Sequence, residues 1–91
     1  MHLNSTADRS FDMFICEFQP GGSSGPEPYV HGDAEEIALV LAGPVIFEVG
    51  EEVVHLSGDD SIRYRTTTPH RVAATPEAGA RVLFVTNPPT F

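Results

Sequence analysis

His31, Glu36 and His70 are the residues of this chain whose side chains could share one chemical task. Two imidazoles and a carboxylate are donor types that hold Zn, Fe, Mn, Ni or Cu while leaving positions open for water or a substrate. They could also form the polar part of a small-molecule pocket. The plainer alternative is two core histidines satisfied by hydrogen bonds and a carboxylate solvated at a strand end. His31 and Glu36 lie on neighbouring short segments separated by a turn, and His70 comes much later, directly after a loop. Only a closed sheet brings such groups face to face.

Two tyrosines join them as candidates. Tyr29 stands two residues before His31, so on a strand both point the same way. A phenol with a reference pKa of about 10 is a poor metal ligand. Its expected role is a hydrogen bond to a bound molecule or to a ligand histidine, with core packing as the alternative. Tyr64 and Ile62 alternate with Arg63 and Arg65, which puts the apolar pair on one face and the arginines on the other. Tyr64 is therefore counted with Tyr29, His31, Glu36 and His70 as ligand-facing. Arg63 and Arg65 read as solvated or facing a second subunit, with carboxylate binding the minority alternative. His2 and His55 read as surface residues, and Asp33, Glu35, Glu51 and Glu52 as solvated loop surface.

The elements that must position these groups are strands. Phe11 to Phe18 (FDMFICEF) is expected to be a strand buried largely on both faces, ending at Pro20. Pro20 to Pro28 (PGGSSGPEP) reads as a long loop, and Tyr29 to His31 as a short strand. IALVLA after Glu36 could be helical on periodicity alone. The stop at Gly43-Pro44 and the following VIFEVG favour two antiparallel strands, and Gly50-Glu51 a tight turn into Glu52 to Leu56. Ser57 to Asp60 is a turn, Ser61 to Tyr64 a strand, Thr66 to Pro69 a loop, His70 to Ala74 a strand, and Ala80 to Thr86 the last strand before Asn87-Pro88-Pro89. Some eight short strands spaced near ten residues apart indicate an all-β sandwich or barrel.

Ninety-one residues make one domain, 1–91, with 1–9 as a flexible or edge-strand N-terminal segment. Thirteen acidic against five basic residues give a formal charge of -8, which repels a phosphate backbone, so direct nucleic-acid binding by this segment is not expected. The single cysteine, Cys16, rules out an intramolecular disulfide and reads as a small buried hydrophobe. No export or membrane signal is visible, and the expected location is cytoplasmic. A chain this short buries a modest share of its surface, which favours a homodimer covering an outer apolar face.

The sequence resembles the cupin family. Its first motif, H-x-H-x3–4-E-x6-G, takes His31 at the second histidine, Glu36 at the glutamate and Gly43 at the glycine, with Tyr29 where the first histidine would stand. Its second motif, G-x5-P-x-G-x2-H-x3-N, takes His70 at the histidine. Asp59, Arg65, Thr67 and Ala74 stand at its other defined positions. The stretches PGGSSGPEPYVHGDAEE, GDDSIRYRTTTPHRV and ARVLFVTNPPTF are similar to the cupin domain that follows a helix-turn-helix in many bacterial regulators.

The resemblance implies a jelly-roll barrel with His31, Glu36 and His70 as ligands of one divalent metal ion (Zn, Fe, Mn or Ni), a set that is short of one histidine here. It also implies a small-molecule-binding or sensory domain like the effector domains of those regulators. The alternative is a metal-dependent enzyme of dioxygenase, isomerase or decarboxylase type. A third is a domain that serves only dimerisation.

Overall fold

The computed structural model describes residues 12–28, 30 and 32–87. Among them are seven strands: β1 (Asp12–Phe18), β2 (Glu35–Ala42), β3 (Val45–Val49), β4 (Glu52–Leu56), β5 (Ser61–Arg65), β6 (His70–Ala74) and β7 (Ala80–Asn87). Each carries alternating apolar residues, which a pleated strand delivers to a single face. The expected strand over Tyr29 to His31 falls mostly outside the described residues, and Val30 between them is exposed. The expected segment 1–9 lies outside them too. No helix among the described residues is long and apolar enough to cross a membrane.

The strands form two antiparallel sheets, ordered β1-β7-β2-β5 and β4-β3-β6. Their inner faces share a core built on Val40, Val45, Phe47, Val82 and Phe84. Phe47 sits at the junction, its ring 6.1 Å from that of Tyr64 and 6.4 Å from that of Phe84.

β1 departs from the expectation of burial on both faces. Among the described residues it is the edge strand of its sheet, and only Asp12 in it is buried, while Glu17 is exposed.

Pro20 to Pro28 is not wholly a loop either. Residues 21–24 lie along the otherwise open edge of β6. The Gly21 and Ser24 amides donate to the Thr75 and Val72 carbonyls, and the Ala74 amide donates back to Gly22. Ser23 and Ala73 form an isolated bridge. The glycines and serines that weaken a strand signal are small enough to dock on a ladder that would otherwise be unpaired.

The turns follow their residues. Val49 pairs with Glu52 around the two-residue loop Gly50-Glu51. Gly50 has φ +59 and Glu51 is not among the positive-φ residues, the pattern of a type II′ hairpin turn. Between β2 and β7 the register shifts at Leu41, which bulges out and is exposed. At the start of β7, a Cβ on Gly79 would stand 2.5 Å from the Phe18 carbonyl oxygen. Only glycine allows β7 to begin that close to the end of β1.

Candidate functional site: a buried carboxylate beside a cavity

Strand register builds the site. Asp12 pairs with Thr86, Thr86 with Glu36, and Glu36 with Tyr64, so β1, β7, β2 and β5 each deliver one residue to a single row across the sheet. All four point inward and are buried. The next row, Phe14, Phe84, Ala38 and Ile62, is wholly apolar. The polar row therefore caps one end of the hydrophobic core.

Glu36 is its centre, 1% exposed. A carboxylate taken out of water must recover its hydrogen bonds from the protein. Here Oε1 accepts from the Tyr64 hydroxyl and Oε2 accepts from Thr86 Oγ1 at 2.7 Å. His70, 2% exposed, comes from the opposite sheet and places Nε2 4.0 Å from Glu36 Oε1. Its ring lies 4.8 Å from the Tyr64 ring.

Nδ1 of His70 is 2.8 Å from the Thr68 carbonyl oxygen. A carbonyl only accepts, so Nδ1 carries the hydrogen, and Nε2 is the nitrogen directed toward Glu36. The turn that leads into β2 is fixed by Thr66, whose Oγ1 accepts from the Ala34 amide at 3.0 Å and donates to the Gly32 carbonyl at 3.0 Å.

A cavity of about 430 Å³ borders this row where β1 faces the docked segment 21–24. Phe14, Phe18, Val72 and Phe84 supply its apolar wall. Cys16, Ser23, Ser24 and the carboxylates Glu17 and Glu36 supply its polar part. Phe14 and Phe84 stack with ring centroids 5.2 Å apart. Burial pushes the Cys16 thiol above its ordinary pKa, and the Glu36 carboxylate adds to the rise.

The structure thus brings Glu36, Tyr64 and His70 together. Of the three, Glu36 borders the cavity, while Tyr64 donates to it and His70 Nε2 lies 4.0 Å from it. Tyr29 and His31 lie outside the described residues. Asp12, Thr86 and Cys16 were not singled out from the sequence as site residues. Asp12 and Cys16 share the parity of Phe14 and Phe18, and Thr86 that of Val82 and Phe84, which was the available signal.

Elsewhere the expectations for charged residues meet ion pairs. Arg63 lies 3.5 Å from Glu35 and Arg65 bonds Asp33, both on the outside. His55, Glu51 and Glu52 are exposed.

As a metal centre, the described donors fall short. His70 Nε2 is directed toward Glu36, whose two oxygens each accept one hydrogen bond from a hydroxyl. No group of three or more His, Cys, Asp or Glu that could hold an ion occurs among the described residues. The third expected ligand, His31, is outside them.

A family model described as the cupin domain, Cupin_2, matches residues 14–86. The chain belongs to the cupin family. A cupin-2 domain protein of Rhodospirillum rubrum superposes with a TM-score of 0.84 at 21% identity, covering 99% of this chain and 59% of that one. KdgF from a Halomonas species gives 0.84 at 20% identity, covering 98% and 76%. The cupin domain of an XRE family transcriptional regulator from Enterobacter cloacae gives 0.75 at 22% identity, covering 89% and 84%. This chain therefore spans about three fifths of the Rhodospirillum protein. At these identities the likeness concerns the fold. No curated protein matches the chain.

Proposed function

We propose that this cupin domain binds a small organic molecule and passes the binding on as a change of shape, in the manner of a sensory domain. The observation that carries the reading is the buried Glu36 carboxylate at the wall of a cavity whose apolar part is Phe14, Phe18, Val72 and Phe84. A mostly apolar concavity with few oriented polar groups suits a small ligand. The cavity has β1 on one side and segment 21–24 on the other, so an occupant touching both would couple an edge strand to the segment docked on β6. Such a ligand shifts the equilibrium by its difference in affinity between open and closed seams. The regulator cupin from Enterobacter cloacae supports this reading by fold. The lone Cys16 suits the reducing cytoplasm.

A thermal-shift screen of amines, alcohols, sugars and carboxylates tests it. A ligand at about a hundred times its Kd adds about 2.7 kcal/mol, and for a domain this size each kcal/mol raises Tm by about 4–8 °C. A library that leaves Tm unchanged throughout would sink the reading.

The second reading is a metal-dependent enzyme, favoured by the approach of His70 Nε2 to Glu36. Its ligands would be His31, Glu36 and His70, and the ion would polarise a substrate oxygen. Element analysis of the wild type against His31→Ala and His70→Ala decides it: stoichiometric metal lost in both variants supports the enzyme, and equal content in all three removes it.

We also propose a homodimer. The outward face of the larger sheet carries Met13, Val85 and Ile37 in one cross-strand row and Ile15, Leu83 and Leu39 in the next, the rows ending on β5 at Arg63 and Ser61. Glu17 with Arg81 and Glu35 with Arg63 form mixed-sign pairs at its two ends. An apolar centre with both signs at its rim can meet a two-fold copy of itself without opposing like charges.

A further inference from the structure

One wall of the cavity is backbone with hardly any side chain. Residues 21–25 read Gly-Gly-Ser-Ser-Gly, and Ser23 and Ser24 line the cavity together with Cys16 and Phe18 of β1. A segment without apolar side chains gains little from burial, so hydrogen bonds must offset the backbone freedom it loses by docking.

Those bonds run to β6. The Gly21 amide donates to the Thr75 carbonyl at 2.8 Å and the Ser24 amide to the Val72 carbonyl at 2.9 Å. In return the Ala74 amide donates to the Gly22 carbonyl at 2.8 Å, and the Val72 amide to Ser24 Oγ at 3.1 Å. One side chain adds a tie of its own. Arg71 donates through Nε to the Gly25 carbonyl at 2.6 Å and through Nη1 to Glu48 Oε2 at 3.0 Å. Glu48 stands opposite Arg71 in the β3–β6 register, so its carboxylate steadies the guanidinium that reaches Gly25.

The two ends of the segment are held differently. At the first, the Gly22 amide donates to the Gln19 carbonyl in a tight turn, and Phe18 just before it runs against Gly79, where a Cβ would not fit. At the second, Pro26 and Pro28 have no amide to donate, and residues 26–28 are exposed. Among the described residues, the Arg71 bond to Gly25 is the last tie before that run. Gly21 at φ +77 and Gly25 at φ +154 bracket the segment with the residue type that changes φ at least cost. Within it, the Ser23 hydroxyl accepts from the Gly25 amide at 3.2 Å and donates to the Gly25 carbonyl at 3.0 Å, so the piece can keep its own turn as it moves.

We infer that segment 21–25 is a gate of the cavity, hinged at Gly21 and latched by Arg71, which swings off β6 while the two sheets stay folded. Its purpose rests on the binding reading above. Its opening is measured without any ligand, so a silent thermal-shift screen sinks the binding reading and leaves the gate to its own measurements.

Amide hydrogen exchange on the full chain, in urea below the unfolding transition, reads the opening directly. The amides of Gly21, Ser24, Val72 and Ala74 should share one opening constant that hardly changes with urea. The Ala73 amide, which by strand alternation points to β3, should be protected about a hundredfold better and follow global unfolding. Arg71→Gln should speed the segment's amides about tenfold and leave Ala73 unchanged relative to global stability. Ser24→Ala, at an exposed position, should release the Val72 amide in the same way, and it serves as the second arm should Arg71→Gln not fold.

Alkylation of Cys16 ties the opening to the cavity. The ratio of the rate with bulky N-(1-pyrenyl)maleimide to that with small iodoacetamide is independent of the thiolate fraction, and loosening the gate should raise it several-fold. Segment amides that exchange only with the barrel, at the urea dependence of Ala73, overturn the gate. Exchange unchanged in both variants overturns the latch, and faster exchange with an unchanged alkylation ratio overturns its place at the cavity.

Discussion

At the scale of single residues, the site is a problem of keeping one carboxylate in the core. Glu36 is tolerable there because the hydroxyls of Tyr64 and Thr86 supply hydrogen bonds that water would otherwise give. Tyr64→Phe deletes one donor and keeps the ring that packs on Phe47 and His70. It should cost about 1–3 kcal/mol, read from the urea midpoint at constant slope. Thr86→Val should cost a similar amount. The double variant should depart from the sum of the two, since both donors serve one acceptor.

Cys16 gives a pH-dependent outcome. Its pKa in the fold lies above the ordinary 9.0, chiefly through burial with a minor contribution from Glu36, so the folded chain holds the thiol proton more firmly than the unfolded chain does. The associated stability is intact below about pH 9 and is lost as the pH climbs past it. Unfolding curves collected from pH 7 to 10.5 should show an alkaline decline that is shallower in Cys16→Ala, and equal declines would refute it.

At the scale of elements, turns and strand parity were legible in the sequence. Gly50-Glu51, Gly43-Pro44 and the run from Asp33 to Glu36 each mark where a strand begins or ends, and alternation through Glu36, Ala38 and Val40 already put the carboxylate on the core side. Segment 21–24 was not legible, because nothing in GGSS announces a partner; the open edge of β6, some fifty residues later, supplies it. Asp12 and Thr86 were missed for a related reason. A polar residue at a strand end looks solvated until register sets it opposite another, and register between strands far apart in the chain is not a local property.

Asp59 shows where a family position has been altered. It stands where the second cupin motif has its first glycine, and its φ is +74. The left-handed region costs an ordinary side chain about 1–2 kcal/mol, less for Asp, and glycine little. Asp59→Gly should therefore raise stability by a few tenths to about 1 kcal/mol after allowing for the looser unfolded chain. A fall in the denaturation midpoint would mean that the Asp59 side chain has a role in the turn.

At the scale of the whole molecule, the two faces of the larger sheet ask for different partners. The inner face is satisfied by the second sheet, with a polar row at one end and phenylalanines beside the cavity. The outer face has two rows of aliphatic side chains and no second layer over them among the described residues. A solvated antiparallel face normally alternates to polar residues, and among the described residues this one does so at its margins, through the pairs Glu17–Arg81 and Glu35–Arg63 and through Ser61 on β5.

The alternation that made β2 read as a strand also carries this feature, because Ile37 and Leu39 fall between the core positions Glu36, Ala38 and Val40. A second copy related by a two-fold axis would remove both rows from water at once. Leu39→Lys places a charge in the middle of one row without touching the core or Glu36. It should convert a dimer, seen by light scattering or sedimentation, into a monomer with ligand affinity retained if each cavity is complete within one chain. A wild type that sediments as a monomer at tens of micromolar would remove the dimer. Retained dimerisation in Leu39→Lys would move the interface to another face, because a lysine cannot be buried there unpaired without a loss of several kcal/mol.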